Sequence, residues 1–289
     1  MKANRLPENP IIYPEMDDSV GHNINGPSLI KVPNWIKKPL GNYYLYFASH
    51  DGDFIRLAYS DSINGPWSIF KPGVLPLSAT SFHGHIASPD VLIDQESQSI
   101  RLYFHGSNTR SKDNGAQSTN VAISSDGQRF TEIGVNLGPA YFRVFKWRDR
   151  YFALAMPGEI YTSENGMTEF SKGHLLFPPG MRHSAVCVEQ HTLSVYYSNI
   201  GDCPEQIYTT TIDLKGDWHN WKIREITPLL APEMEYEGGN LPNVPSQVGL
   251  ANGKVRQLRD PAIFIENKKK YLLYSVAGES GIAIAELVP

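Results

Sequence analysis

The 289-residue chain is rich in turn and strand material, with 24 Gly, 21 Pro, 12 Phe, 15 Tyr and 5 Trp, which argues against a helical protein. Its formal charge of −4 comes from interspersed acidic and basic residues, so no basic stripe offers itself to a nucleic acid. No apolar run approaches the roughly 20 residues that span a bilayer, and the N-terminus lacks the apolar core of a signal peptide. We therefore expect a soluble, cytoplasmic protein without nucleic-acid or membrane partners, or a periplasmic or secreted one if a signal has been removed.

Internal repeats are the main feature of the chain. Each copy begins with a strand opened by a small or polar residue, usually next to Pro, and continues through a turn, an aromatic strand and a third strand. The opening strands read GPSLIKV from Gly26, SPDVLID from Ser88, GPAYFRVF from Gly138, RHSAVCVE from Arg182 and DPAIFIE from Asp260. Fourth strands are predicted in GPWSIF, RFTEI, TEFSKG and NWKIREI, and the fifth copy lacks one because the chain ends at Pro289.

Five copies of a four-stranded unit predict an all-β, five-bladed β-propeller, with residues 1–289 as a single domain. The last blade needs a fourth strand, and we expect the N-terminal segment NPIIYP, residues 9–14, to close it. A β-sandwich has similar strand content but does not explain a fivefold repeat. The run Lys268 to Lys270 is predicted to be a solvated hairpin tip, and both cysteines are predicted to be reduced.

The first strand of each blade lines the central channel of a propeller, so equivalent residues of these strands converge. Alignment on the Xaa-Pro junction predicts one ring of residues, namely Gly26, Ser88, Gly138, Arg182 and Asp260. Two residues further along each strand lie Ser28, Asp90, Ala140, Ser184 and Ala262. Asp90 and Asp260 stand out, because a charge near a buried channel is unfavourable unless it is paired or used.

Three motifs carry a resemblance to a known group of enzymes. DPAIF opens the last inner strand, YYLYFASHDG lies in the first blade and EYEGGNLP precedes the last blade. With the fivefold repeat, they resemble the five-bladed propeller glycoside hydrolases of families 43, 62 and 117 and the family 130 phosphorylases. That resemblance implies inner-strand Asp residues as base and pKa modulator, with an acid from another blade. Asp260 matches such an Asp, Asp90 is displaced by two positions from its equivalent, and Asn25 and Gly26 stand where family 43 has its base.

Four residues are candidates for catalysis. Inverting glycoside hydrolysis needs a base that activates water and an acid that protonates the leaving oxygen, about 6.5 to 9.5 Å apart. Asp90 and Asp260 are the carboxylates nearest the predicted channel. Glu237 is the candidate acid, because two glycines follow it and Glu235 is close enough to raise its pKa, although both are alternatively surface glutamates. His85 is an alternative proton donor near neutral pH.

A second group of side chains is predicted to bind the sugar, and comprises Asn25, His83, Arg143, Arg182, Arg259, Glu235 and Tyr236. Because arginine forks suit carboxylate or sulfate, we expect a uronic or sulfated sugar. Ion pairs with Asp90, Asp260 and the loop glutamates are the alternative role of the arginines. No cofactor is expected, but His22, His83 and His85 could instead meet around a metal ion in the channel.

The residues and the resemblance together favour a glycoside hydrolase that acts on the end of an oligosaccharide. A lyase on the same scaffold, with His and Tyr transferring protons beside an arginine-neutralised uronate, is an alternative, as is a phosphorylase. A non-catalytic sugar-binding propeller is a third alternative, because a fold does not fix a function. The sequence leaves homo-oligomerisation open.

Overall fold

The computed structural model describes residues 1–50, 52–109 and 117–289, so Asp51 of the YYLYFASHDG motif lies outside the described residues. Five separate antiparallel sheets of four strands each account for its regular structure. In every sheet the strands follow one another in order from an inner strand outward. The predicted all-β, five-bladed propeller is therefore confirmed.

The blades take their strands from the chain in sequence. Blade 1 contains β2 (Asn25–Lys31), β3 (Tyr43–Ala48), β4 (Phe54–Ser60) and β5 (Ser68–Pro76). Blade 2 contains β6 (His85–Asp94), β7 (Ser99–Ser107), β8 (Ser118–Ser124) and β9 (Thr131–Pro139). Blade 3 contains β10 (Arg143–Trp147), β11 (Arg150–Ala155), β12 (Glu159–Ser163) and β13 (Ser171–Leu175). Blade 4 contains β14 (Met181–Glu189), β15 (Thr192–Asn199), β16 (Ile207–Asp213) and β17 (Thr227–Leu230).

Blade 5 joins the two ends of the chain. It contains β18 (Arg259–Glu266), β19 (Lys269–Ser275), β20 (Ile282–Val288) and, on its outer edge, β1 (Lys2–Arg5). Short 3₁₀ turns occupy Pro14–Met16, Leu77–Ala79, Trp218–Asn220 and Glu235–Glu237. None of the helical segments in the described part of the chain is long and apolar enough to cross a membrane.

The inner strands form a closed ring, since β2 contacts β6 and β18, and β14 contacts β10 and β18, while β6 also contacts β10. The apolar core is divided into five clusters, each shared by two adjacent blades. Successive side chains of a strand point to opposite faces, and β3 shows how this fills two clusters at once. Tyr44 and Tyr46 pack against blade 2, whereas Leu45 and Phe47 pack against blade 5.

The N-terminal segment closes the last blade, as predicted, but residues 9–14 are not the strand that does so. The fourth strand is β1, whose Lys2 and Arg5 pair with Val288 and Ala285 of β20. Residues 9–12 run beside the beginning of β20 and form only an isolated bridge between Ile12 and Ile282. Pro10 has no N–H to donate, so this apolar segment cannot continue the ladder.

The structure also corrects or refines the prediction for three other segments, in blades 3, 4 and 5. The third inner strand begins at Arg143 rather than Gly138, which belongs to the outer strand of blade 2. The outer strand of blade 4 begins at Thr227, just beyond the predicted NWKIREI segment. In blade 5, Asn267 and Lys268 form the hairpin turn with φ of 50° and 64°, and Lys269 and Lys270 begin β19.

Candidate active site

Each inner strand has an irregular backbone at one end of the channel. One residue per blade has a positive φ there: Gly26 at 61°, Ser88 at 46°, Tyr141 at 64°, His183 at 20° and Asp260 at 45°. The strand register slips beside this residue in blades 1, 2, 4 and 5. Such bulges redirect side chains, and non-glycine residues with positive φ concentrate at functional sites. We call these five residues the bulge ring.

Neighbouring members of the bulge ring lie in contact. A Cβ built on Gly26 would lie 2.8 Å from the Cα of Ser88. The hydroxyl of Ser88 hydrogen-bonds the phenol of Tyr141, whose ring lies 4.6 Å from that of His183. His183 Nδ1 is 3.0 Å from Asp260 Oδ1. The ring thus brings one residue of every blade to one place.

The bulge ring corrects the predicted ring in two blades. Tyr141 takes the position assigned to Gly138, and His183 takes the position assigned to Arg182. The proline used for the alignment follows the bulge residue in blades 1, 2 and 5, but Phe142 and Ser184 follow it in blades 3 and 4. Without that proline, the sequence does not mark which residue adopts the positive φ.

A cavity of about 350 Å³ lies beside the bulge ring. Its lining comprises His50, His85, Ser107, Thr109, Gln117, Pro139, Ala140, Tyr141, Met156, Arg182, His183, Ile200, Val248 and Gly249. Its size falls in the range of small-molecule sites, which are concave and hold a few convergent polar groups. Among the described residues, no carboxylate lines the cavity directly, and its titratable lining is imidazole, phenol and guanidinium.

Asp260 lies behind His183 and is only 2% exposed. Its Oδ2 accepts a hydrogen bond from the Ser275 hydroxyl at 3.2 Å. Burial and the nearby charge of Glu279 raise the pKa of Asp260 to about 6, against the opposing influence of three arginines. Burial and the same arginines depress the pKa of His183 well below its ordinary value. At neutral pH a neutral His183 therefore lies beside an ionised Asp260, with Nδ1 and Oδ1 3.0 Å apart but not aligned as a hydrogen bond.

Aromatic rings continue from His183 along the cavity wall. Tyr141 lies between His183 and His105, with ring centroids 4.6 and 4.3 Å away, and the ring of His85 is 6.3 Å beyond His105. Burial raises the pKa of the Tyr141 phenol and lowers that of His105. Both groups are thus neutral over the physiological range, and the wall presents neutral donors and acceptors.

Arg182 and Arg259 are held by a buried carboxylate and by loop carbonyls. Glu205 Oε2 lies 3.0 Å from Arg259 Nε and 3.7 Å from Arg182 Nη1. The carbonyl of Gln247 accepts from Arg182 at 2.9 Å, and that of Gly249 accepts from Arg259 at 3.2 Å. Arg182 lines the cavity, whereas Arg259 lies behind the cavity wall and forms an ion pair with Glu279 of blade 5. Arg259 is thus paired with acids, but its partners are Glu205 and Glu279 rather than the predicted Asp90, Asp260 or loop glutamates.

His50 lines the cavity from the end of β3, and it too has a buried carboxylate behind it. Glu279, only 3% exposed, places Oε1 at 3.6 Å from His50 Nδ1 and at 3.0 Å from Arg259 Nη1. Its Oε2 accepts from Asn23 Nδ2 at 2.6 Å. Burial works to raise the pKa of Glu279, but His50, Arg259 and Asn23 together lower it to about 2.

Asp90 and Arg143 are brought to the channel but have contacts of their own between inner strands. Asp90, half-buried, accepts from the Val144 N–H at 2.9 Å, and Arg143 Nε donates to the Ser184 carbonyl at 2.6 Å. Burial raises the pKa of Asp90 even though Arg143 is near. Arg143 Nη2 is buried without a hydrogen-bond partner in the described structure. Both residues join neighbouring blades beneath the bulge ring.

Glu237 is not brought to the cavity. Its fully buried carboxylate accepts from Arg5 at 2.7 and 2.9 Å and from the Tyr274 hydroxyl at 2.9 Å. Glu235 is exposed, and the Tyr236 hydroxyl accepts from Asn9 Nδ2 at 3.3 Å. This loop joins the N-terminal strand to blade 5, so its three predicted site residues stand apart from those of the bulge ring.

Of the remaining predicted residues, two lie at or near the channel and two are exposed. His85 lines the cavity, and Asn25 is buried beside Gly26, where its amide donates to Asn23 Oδ1 at 3.1 Å. His83 and His22 are exposed. Within residues 1–50, 52–109 and 117–289, no group of three or more side chains is arranged to hold a metal ion.

The residues predicted from the sequence did not include His50, Glu205 or Glu279. The predicted residues lie at the beginnings of inner strands and in the loops that precede blades 1, 2 and 5. In an antiparallel blade, the end of the second strand reaches the same edge as the beginning of the first. That rule points to the residues directly after β3, β7 and β15, and it would have found His50.

Fold and site together define a five-bladed β-propeller with an imidazole-lined cavity beside its bulge ring. The chain belongs to the same family as the uncharacterized protein R118 of Acanthamoeba polyphaga mimivirus. The two are 35% identical over 322 residues, which cover 98% of this chain and 89% of the relative. No family model matches the sequence.

Solved structures with this fold confirm the predicted resemblance to five-bladed propeller glycoside hydrolases at the level of architecture. The α-L-arabinofuranosidase from Lactobacillus brevis is 13% identical, with a TM-score of 0.65 over 97% of this chain and 92% of that chain. CoXyl43, a GH43 β-xylosidase/α-arabinofuranosidase from a compost microbial metagenome, is 14% identical, with a TM-score of 0.63 over 100% and 95%. A structure described under the GH130 family of mannoside phosphorylases is 14% identical, with a TM-score of 0.68 over 99% and 94%.

Proposed function

We propose that the protein is a glycoside hydrolase that removes an anionic sugar from the end of an oligosaccharide bound in the central cavity. The observation that carries this proposal is the pair of His183 and Asp260. An imidazole at the cavity wall contacts a buried carboxyl whose pKa, raised to about 6, lies close to the working pH of an acid–base catalyst. The glycosidase fold of the structural neighbours supports the same reaction class.

His183 acts as the base in this proposal. Hydrolysis requires that a water lose a proton as its oxygen attacks the anomeric carbon. A neutral imidazole 3.0 Å from ionised Asp260 takes that proton, and the carboxylate stabilises the imidazolium that forms. The predicted catalytic role of Asp260 thus becomes that of a carboxylate that stabilises the charged form of the base. Catalytic roles for Asp90 and His85 stay predictions.

The charge of the lining supports an anionic substrate. Arg182 lines the cavity with three histidines, and no lining carboxylate within the described residues opposes them. A guanidinium binds a carboxylate or a sulfate in a bidentate manner, so a uronic or sulfated sugar suits this wall. Neutral aromatic faces such as Tyr141 then pack against the sugar ring.

A lyase is the second candidate, because imidazole and phenol line the cavity. In β-elimination from a uronate, an arginine neutralises the carboxylate, a base removes the proton on the adjacent carbon, and an acid protonates the oxygen that leaves. His183, Tyr141 and Arg182 offer these three functions. The product then carries a carbon–carbon double bond and needs no water.

The test is a panel of neutral, uronate-containing and sulfated oligosaccharides, with and without inorganic phosphate. Reducing-sugar release from an anionic member, lost in His183→Gln and Asp260→Asn while sugar binding persists, supports the hydrolase. Asp149→Asn, at an exposed turn, is the matched control and should keep full activity. An unsaturated product indicates the lyase, and activity that strictly requires phosphate indicates a phosphorylase. Affinity for the sugar without any turnover indicates a binding protein.

A further inference from the structure

The cavity has a second imidazole backed by a carboxylate. His50 follows β3 of blade 1, and His183 lies on β14 of blade 4. The carboxylates behind them, Glu279 and Asp260, both come from blade 5, which stands between those two blades in the ring. The two imidazoles therefore reach one cavity from opposite sides of blade 5.

The surroundings of His50 fix its orientation. Its backbone N–H donates to Asn23 Oδ1 at 2.7 Å, and the amide of the same asparagine donates to Glu279. Nδ1 faces the Glu279 carboxylate at 3.6 Å, which favours the tautomer with the proton on Nδ1. A carboxylate that orients a histidine in this manner also stabilises its protonated form.

The two pairs differ in charge. Glu279, with a pKa lowered to about 2, remains ionised throughout the physiological range, so His50 always faces a full negative charge. His183 faces an acid that titrates near pH 6 and also Arg182, whose Nη2 lies 3.5 Å from its Nε2. Among the described residues, the other charged or titratable groups near His50 are Arg259 behind Glu279, His105, and His183 across the cavity. The ionised Glu279 therefore stabilises a positive charge on His50, whereas Arg182 opposes one on His183.

We propose that His50, oriented by Glu279, is the general acid that protonates the leaving oxygen, opposite His183 as the base. The inference rests on the proposed hydrolase. In the balanced step, the water oxygen bonds to the anomeric carbon and the water proton passes to His183 Nε2. The bond between the anomeric carbon and the leaving oxygen breaks as that oxygen takes the Nε2 proton of the His50 imidazolium, which becomes the neutral tautomer with its proton on Nδ1. Proton exchange with solvent then restores both histidines.

The test compares leaving groups. The substrates are the phenyl and 2,4-dinitrophenyl glycosides of whichever sugar the panel releases. A dinitrophenolate leaves without a proton, whereas a phenolate depends on the acid. His50→Gln should therefore lose about 10²- to 10⁴-fold in kcat/KM on the phenyl glycoside but stay within about tenfold on the dinitrophenyl glycoside. His191→Gln, in the hairpin turn between β14 and β15, is the matched control and should behave as wild type on both.

Equal losses on the two glycosides, or none, would overturn the acid role while leaving the hydrolase intact. Glu279→Gln should follow His50→Gln in its leaving-group dependence, and a variant that does not fold is replaced by His50→Asn. Nitrogen-15 NMR of the histidines in wild type is independent of turnover. It should show His50 protonated on Nδ1 and its signals shifting on addition of glucuronate. The opposite tautomer contradicts the inference, whereas absence of turnover by wild type contradicts the proposed function itself.

Discussion

Asp260 and Glu279 are buried carboxyl groups of one blade whose pKa values move in opposite directions. Asp260 contacts a neutral imidazole and a serine, so burial dominates and its pKa rises to about 6. Glu279 contacts a guanidinium and an amide at 2.6 to 3.0 Å, so its pKa falls to about 2. At the scale of the residue, these partners decide which carboxylate can exchange a proton near neutrality.

The raised pKa of Asp260 makes its ionisation unfavourable for folding. Stability is greatest while the group is protonated, below its ordinary pKa of 3.8, and declines as the pH rises through about 6. Asp260→Asn cannot ionise and tolerates the positive φ of this position. We expect the variant to be more stable than wild type at pH 8 by up to about 3 kcal/mol, and nearly equal at pH 4. Urea denaturation at both pH values measures this, and lower stability of the variant at pH 8 would contradict it.

Glu279 should show the opposite pH dependence. Its lowered pKa contributes stability that is present above pH 4.5 and is lost as the pH falls towards 2. Glu279→Gln should therefore lower the free energy of unfolding by about 3 kcal/mol at pH 7, with the difference shrinking below pH 4. Thermal unfolding followed by circular dichroism across this pH range measures the effect. A pH-independent difference would mean that shape, rather than charge, explains the loss.

The bulge is the element that turns five similar strands into one site. A positive φ recurs in every blade with a different residue, and the strand register slips beside it in four of the five; blade 1 supplies glycine. A side chain there would meet the backbone of Ser88, since a Cβ would lie 2.8 Å from its Cα. Position 26 therefore has no room for an acidic side chain, and in this blade His50, which follows the next strand β3, lines the cavity instead.

Gly26→Ala tests this steric limit. Gly21 is the matched control, because its φ of 66° is similar to the 61° of Gly26 but a Cβ there meets no atom within 4 Å. Gly21→Ala should cost about 1 kcal/mol through backbone strain alone, and Gly26→Ala about 1 to 3 kcal/mol more through overpacking. Denaturant midpoints of the two variants give the comparison. Equal losses would show that blades 1 and 2 can separate to accept the methyl group.

The repeats predicted the blades because strand period, turns and aromatic content are local properties of the chain. They placed Asp260, Ser88 and Gly26 correctly, since Pro follows each of them and marks the bulge. Tyr141 and His183 lack that mark, so their positions depend on packing between blades. The ion pair of Glu237 could not be predicted either, because its partner Arg5 lies 232 residues away in sequence.

At the scale of the whole molecule, strand β1 and the buried ion pair of Arg5 and Glu237 attach the N-terminus to the last blade of the propeller. β1 pairs with β20, and Arg5 reaches Glu237 with two nitrogens. Arg5→Ala leaves a fully buried carboxylate without its cation, so we expect a loss of about 3 to 5 kcal/mol. Lys2→Ala, an exposed change on the same strand, should cost less than about 0.5 kcal/mol. Equal thermal midpoints for Arg5→Ala and wild type would exclude this role.

The contact between His50 of blade 1 and Glu279 of blade 5 joins the parts of the chain that are synthesised first and last. His50 belongs to the first blade made during synthesis, and Glu279 to the last. Until the two ends of the chain have met, His50 has no carboxylate and the cavity has only one of its two imidazole pairs. On the proposed mechanism, a truncated, nicked or half-folded chain therefore lacks the general acid as well as the closed ring.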